Sequence, residues 1–498
     1  MNKDFHCYAT YCAAILAGYS HEESAVIGYS SQMVDLCTRT MLSKLHAPQS
    51  AATTQLQLEL MDARTDIIGL QDITRIWASF HFLPGDLYAQ PKQKCSKKYL
   101  NKYRLICNPN SELIEKTVSL AKGKSEQAAG IAMHVLADTW AHRYFAGTPS
   151  LVINNINYHC FELVQSENGE VERKVNFRHN PSAPDDPGHS AYTNTVYYNN
   201  ENSIMSLGHG RAGHLPDYCF VKYKYLPAWK EYEEIVKDNP ADYLNAFCQM
   251  IYALKFLRGV NPSFERGKYD TEAAEPIMDD IRRILHTVQL DSTDDWRELG
   301  RKLSGHSLEE IDVDKIEKEY LDADDDKKDD TFLGKFIIGA LAQKSMVTNQ
   351  IFQSGNKLSG YSIEYSSKGF KGIRDFRKLL NRKESAKNEY ISTCQKLSGW
   401  SRTSPAHTDP ACRTRKRLKH CRSDSLSLSG FLRLPNAVVL RENGASHGRG
   451  KNLPVPKHHR AGFRTVYIQS DSDIDSLDHD IPDGRFRVLG RYRYSPRA

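Results

Sequence analysis

One stretch constrains this chain more than any other: residues 130–142 read G-I-A-M-H-V-L-A-D-T-W-A-H, in which His134, Asp138 and His142 interrupt an otherwise apolar run. The run predicts a helix. Ser125 precedes Gln127 and Ala128 as a cap, and Gly147 lies where a helix would stop. A four-residue step on a helix rotates about 40° and climbs about 6 Å, so the three side chains share one face. Two imidazoles around a carboxylate form a ligand set that suits zinc and similar ions. The outer pair is about 12 Å apart along the axis, too far for one ion, so two neighbouring ions bridged by Asp138 are expected. The bland alternative is a half-buried helix whose histidines cap carbonyls or pair with Asp138.

Further candidate ligands sit elsewhere in the chain. Asp4 and His6 flank Phe5 at the start of a helix, and Asp35 ends the next one. His81 lies in the aromatic stretch W-A-S-F-H-F-L-P-G, where a hydrogen-bonded core histidine is the ordinary expectation. Residues 208–217, G-H-G-R-A-G-H-L-P-D, bring His209, His214 and Asp217 into one glycine-rich turn with Arg211. Asp4 and Asp35 read equally well as helix caps.

The rest of residues 1–353 reads as predominantly helical, which makes the expected fold class all-α. Phe5 to Tyr19 has helical periodicity, and Ser20 with Glu23 makes a capping box for a helix through about Leu36. Thr54 to Asp66 stays open between helix and strand, because Leu56, Leu58 and Leu60 alternate. Further helices are expected at about Ser111–Lys122, Trp229–Val236, Asp242–Arg258, Thr271–Val288, Ser307–Leu321 and Phe332–Phe352. Asn154 to Asn202, rich in Asn, Pro, Asp and Gly, reads as a long loop with short strands.

Composition changes near residue 354. Residues 354–399 read as a linker or helical extension, and 400–498 as a basic, largely disordered tail with Arg413, Arg415, Lys416, Arg417, Lys419 and Arg422 close together. Eleven cysteines without a C-x-x-C pair argue against a disulfide framework or zinc ribbon. That thiol usage, an acidic residue near the N-terminus and the absence of a transmembrane-length apolar run together suggest a cytoplasmic protein.

The stretches D-F-H-C-Y-A-T-Y, S-S-Q-M-V-D, F-H-F-L-P-G, G-I-A-M-H-V-L-A-D-T-W-A-H and G-H-G-R-A-G-H-L-P-D resemble a family of unknown function, DUF6765, over roughly the first 350 residues. That resemblance implies a domain extent and no activity. The chain also distantly resembles zinc-dependent phospholipase C and the single-strand-specific zinc nucleases, which are all-helical and hold three zinc ions. The order His6, Asp35, His81, His134, Asp138, His142, then His209 or His214 with Asp217, parallels their ligand order. The chain departs from them in lacking an N-terminal Trp, whose amino group they use as a ligand, and Asp4 is the expected substitute. Their third ligand on the central helix also lies further from the Asp.

The resemblance implies two or three zinc-type ions that activate water for attack on a phosphoester, with Asp35 or Asp4 orienting it and Arg143 or Arg211 meeting phosphoryl charge. Asp35, Asp138 and Arg211 are the expected catalytic set. Trp140 and Phe145 either line the site or belong to the core. The substrate stays open between lipid, nucleic acid and a small phosphoester. An HD-type phosphohydrolase is a poor match, because the His479-Asp480 doublet lies in an acidic segment without apolar periodicity. The rival from another class is a non-catalytic, metal-stabilised scaffold whose basic tail binds nucleic acid or an anionic membrane.

Overall fold

The computed structural model describes residues 1–63, 67–156, 159–167, 169–178, 183–195 and 206–360, with the backbone of 365–366 and 369–370. The chain divides into two units, residues 1–402 and 403–498, and every described residue lies in the first. The expected basic tail and all but the start of the 354–399 extension therefore fall outside the described residues, as does His479-Asp480.

The helical layer is built from a π-helical turn, Asp4–Ala9, running into α1 (Thr10–Leu16), then α2 (His21–Leu36), α3 (Arg39–Lys44), α4 (Gln57–Ala63), α5 (Ile67–Phe80), α6 (Lys97–Tyr103), α7 (Glu112–Ala121) and α8 (Glu126–Ala141). The Ser20 capping box is present in full, and Ser111 and Ser125 cap α7 and α8 by accepting from Ile114 N and Ala128 N. The ambiguous segment after Thr54 resolves as helix α4. Its Leu58 is exposed while Leu60 is buried, so the alternating leucines do not share one face as they would on a strand.

The centre of the bundle is α8, which packs against α2, α7, α10 (Asn239–Arg258) and α15 (Phe332–Gln353). Packed against these four, it is largely apolar around its circumference apart from His134 and Asp138. Gly130 permits the approach of α2: a Cβ there would stand 2.4 Å from the Ile27 carbonyl oxygen and 2.6 Å from Ser30 Cβ.

The all-α expectation needs correction. After the short α9 (Leu151–Asn154), the chain forms a four-stranded antiparallel sheet of order β2-β1-β5-β6, from β1 (Cys160–Ser166), β2 (Gly169–Lys174), β5 (Lys222–Tyr225) and β6 (Ile235–Asp238). The strands β3 (Asn176–Arg178) and β4 (Ala191–Thr193) pair separately. The helix expected at Trp229–Val236 is instead a 3₁₀ turn, Ala228–Lys230, followed by β6. Glu231 and Tyr232 take left-handed φ of 56° and 59° and stop the turn, and Ile235 then pairs with Tyr225. The expected Thr271–Val288 helix is broken around Pro276 into α11 (Thr271–Ala274), a 3₁₀ turn and α12 (Met278–His286). A further helix, α13 (Thr293–Ser304), was not foreseen, and α14 (Val313–Asp322) starts late, capped by Asp312.

Candidate metal centre

Eight side chains converge on the buried face of α8. They form three groups whose donor atoms lie within 4.8 Å of one another: His6, His134 and Asp138; Asp35, His81 and His134; and His142, His209 and Asp217. Each is supplied by a different local device. His6 sits on the π-helical turn, Asp35 near the end of α2, and His81 just past the end of α5. His142 is the C-cap of α8, where the chain leaves the helix. His209 and Asp217 come from the turn before β5. Gly208, at φ 51°, lets this turn press on Phe82, because a Cβ there would fall 2.2 Å from the ring. Phe82 in turn stacks on His142, with ring centroids 4.8 Å apart.

Asp138 is the hub. Its Oδ1 lies 2.9 Å from the Met1 amine and 3.1 Å from His6 Nε2, and its Oδ2 lies 3.2 Å from both His81 Nδ1 and His134 Nε2. His134 Nε2 is 3.3 Å from His81 Nδ1, and Asp35 Oδ1 is 3.8 Å from His81 Nδ1 and 3.9 Å from His134 Nε2. In the third group Asp217 Oδ1 lies 3.1 Å from His142 Nε2 and 3.6 Å from His209 Nε2.

The histidine tautomers follow from their other ring nitrogens. His134 Nδ1 lies 2.9 Å from Ser31 O, His81 Nε2 3.1 Å from Thr53 O, His142 Nδ1 2.8 Å from His81 O, and His209 Nδ1 2.8 Å from Gly213 O. A carbonyl only accepts, so each of these nitrogens carries the proton and donates. The opposite nitrogen of each ring then points a lone pair into the cluster. His6 makes no hydrogen bond at either nitrogen and is fully buried, stacked on His134 at 3.8 Å.

The charges fit this assignment. Burial, and the neighbouring His134 at His6, push the imidazoles of His6, His134 and His209 down to about 4, so they are neutral near pH 7. Burial alone would raise Asp138, but His142, the Met1 amine, His6 and His134 outweigh it and hold the carboxyl well below its usual range. Asp217 is held down in the same way, against its burial, by His209, the Met1 amine and His142.

One expectation about this site is corrected. Asp4 is not among the converging donors. Its Oδ2 accepts from Ser292 N at 3.1 Å and Ser292 Oγ at 2.6 Å, and its Oδ1 from Phe5 N at 2.8 Å, so it clamps the π-helical turn to the segment before α13. The Met1 amine is buried 2.9 Å from Asp138, 3.2 Å from His142 Nε2 and 3.3 Å from Asp217, and against its burial those carboxylates raise it to about 11, so it pairs with them as an ammonium.

The remaining expected residues are placed as follows. His214 is mostly exposed; its Nδ1 lies 3.3 Å from Asp217 Oδ2, and its ring packs on Tyr218 at 5.9 Å. Arg211 is buried and donates from Nε to Asn155 Oδ1 at 2.9 Å, and Arg143 donates to Asp242 Oδ1 at 3.1 Å; neither belongs to the three groups. Trp140 and Phe145 are core residues, the former donating to Gln249 Oε1 at 2.8 Å. The backbone carbonyls of Ser31, Thr53, His81 and Gly213, which orient the rings, were not foreseen.

A family model described as a family of unknown function (DUF6765) matches residues 1–351. No curated protein and no solved structure matches the chain.

Proposed function

The chain belongs to the DUF6765 family of unknown function, and we propose that it is a metal-dependent hydrolase of phosphoesters, its ions of the zinc type held around Asp138. One observation carries the reading. His134 Nε2 and His81 Nδ1, both lone-pair nitrogens, face each other at 3.3 Å and face the same Asp138 oxygen at 3.2 Å. Lone pairs at that distance repel unless a cation lies between them. His134 does not supply a proton there at neutral pH, since burial keeps it at about 4. Four donors around a tetrahedral zinc, each about 2.1 Å from it, stand about 3.4 Å apart. The separations of 3.2 to 3.9 Å among Asp35, His81, His134 and Asp138 match that spacing.

The donor set is three carboxylates and five imidazoles, with His134 shared between two groups. Carbonyl-anchored imidazoles are the supporting shell that metal-binding histidines need. Bound ions of this class supply an activated water and withdraw charge from phosphoryl oxygens. Asp35, with a third of its side chain open to solvent, is the donor of its group that water and a phosphoester reach. In this reading Asp35 accepts a proton or orients a water, while the buried Asp138 holds the donors in register. Phe82 and Trp77 flank the rings of His142 and His81 and keep bulk water from that side.

The test is hydrolysis of a chromogenic phosphodiester by the full chain, before and after chelation and after zinc is restored. Turnover that chelation abolishes and zinc restores supports the reading. A fully metal-loaded chain with no turnover on phosphomonoesters, phosphodiesters, phospholipids or single-stranded nucleic acid overturns it.

A further inference from the structure

Lys237 has only 1% of its side chain exposed, and nothing in the proposed chemistry uses it. Its Nζ donates to the Trp140 carbonyl at 2.9 Å, lies 3.3 Å from Asn239 Oδ1, and is bonded to the Asp242 carboxylate. The other Asp242 oxygen accepts from Arg143 Nη1 at 3.1 Å. Trp140 and Arg143 bracket His142. The ligand is thus gripped on both sides, by its helix carbonyl before and its guanidinium neighbour after, through one buried Lys–Asp pair.

The same element holds the opposite ligand. Asn239, two residues on, donates from Nδ2 to Leu215 O and Tyr218 O at 2.8 Å each, and the Tyr243 hydroxyl lies 2.7 Å from Asp217 O. Those contacts fix the turn that carries Asp217. The end of β6 and the first turn of α10 therefore form a bracket with His142 on one arm and Asp217 on the other.

A lysine at the end of a helix offsets unpaired carbonyls and the negative end of the dipole. Burying it is costly unless its charge is fully paired, so its retention inside the protein calls for more than capping.

We propose that Lys237 is a positioning residue for the third metal group: it fixes His142 against Asp217, so its loss empties the His142–His209–Asp217 site and spares the sites that share His134. This rests on the metal-binding reading above. Groups that orient metal ligands change affinity by roughly ten- to a hundred-fold when removed.

The experiment is zinc titration and elemental analysis of the full chain, wild type against Lys237→Met, His209→Ala and the double variant. The expected result is that Lys237→Met loses one equivalent, or binds it roughly ten- to a hundred-fold more weakly, and that adding His209→Ala removes nothing more. If Lys237→Met does not fold, Arg143→Gln, which cuts the outer half of the clamp, must show the same selective loss. A lowered unfolding midpoint with the wild-type metal complement would make Lys237 merely structural and overturn the proposal. So would equal loss from every site. Wild-type protein that takes up no zinc defeats the metal reading itself, an outcome distinct from a loaded wild type with an equally loaded variant.

Discussion

His134 and Asp138, one helical turn apart, face each other across 3.2 Å as acceptor to acceptor, because the proton of His134 is committed to the Ser31 carbonyl on the other side of the ring. A simple His–Asp hydrogen bond would place that proton between them. The arrangement is the one the proposed metal centre calls for, and in that reading Asp138 is the residue on which the groups around His134 depend.

Replacing Asp138 by Asn should therefore unload more than one ion. The variant keeps the side-chain shape and removes the charge shared by His6, His81 and His134. Elemental analysis is expected to show at least two equivalents lost, against one for His209→Ala, with hydrolysis reduced by about a hundredfold or more. Equal losses in the two variants would show that Asp138 does not bridge.

Asp4 and His6 lie two residues apart and are opposite in role. Asp4→Ala strands the Ser292 amide and hydroxyl and is expected to cost about 1–3 kcal/mol of stability by urea denaturation, with the metal content unchanged. His6→Ala is expected to lose metal. Metal loss in the Asp4 variant at full stability would restore it as a ligand.

Acid should destabilise the metal-stripped protein. His6, His134 and His209 titrate at about 4 in the folded chain against an ordinary value of 6.5, so between those values the unfolded chain binds more protons. Stability rises with pH across that window, is lost as pH falls from about 6.5 to about 4, and has no further slope from these groups below that. Urea midpoints of chelated protein at about pH 7 and about pH 5 measure it. A midpoint that does not fall would mean the rings are not buried as neutral groups.

Gly208→Ala tests how the third group is assembled. Its left-handed φ and the Phe82 ring leave no space for a methyl group, so a loss of about 1–3 kcal/mol and weaker zinc binding are expected. An alanine variant with native stability and full metal content would show that the His209 turn is not held against Phe82.

Much of the convergence was legible in the sequence because α8 writes its candidate ligands at a fixed step within an apolar run, and every candidate in the three groups belongs to a residue type that stands out in such surroundings. The misassignments have physical causes. Asp4 has the same local appearance as a ligand, and only the approach of Ser292, 288 residues away, decides otherwise. His209 and His214 look equivalent in the glycine-rich turn until backbone folding turns one inward and leaves the other exposed. The β6 strand hides in a segment of mixed pattern, because pairing with β5 outweighs local helix preference. The carbonyls that set the histidine tautomers leave no trace in side-chain identity.

The most direct measurement is diffraction from crystals of the full chain grown with zinc, with anomalous difference maps collected across the zinc edge. The account predicts peaks between Asp138 and the His81–His134 pair, and between Asp217 and the His142–His209 pair. Zinc-saturated crystals without a peak at either place, and with the rings of His81 and His134 still facing Asp138, would contradict it.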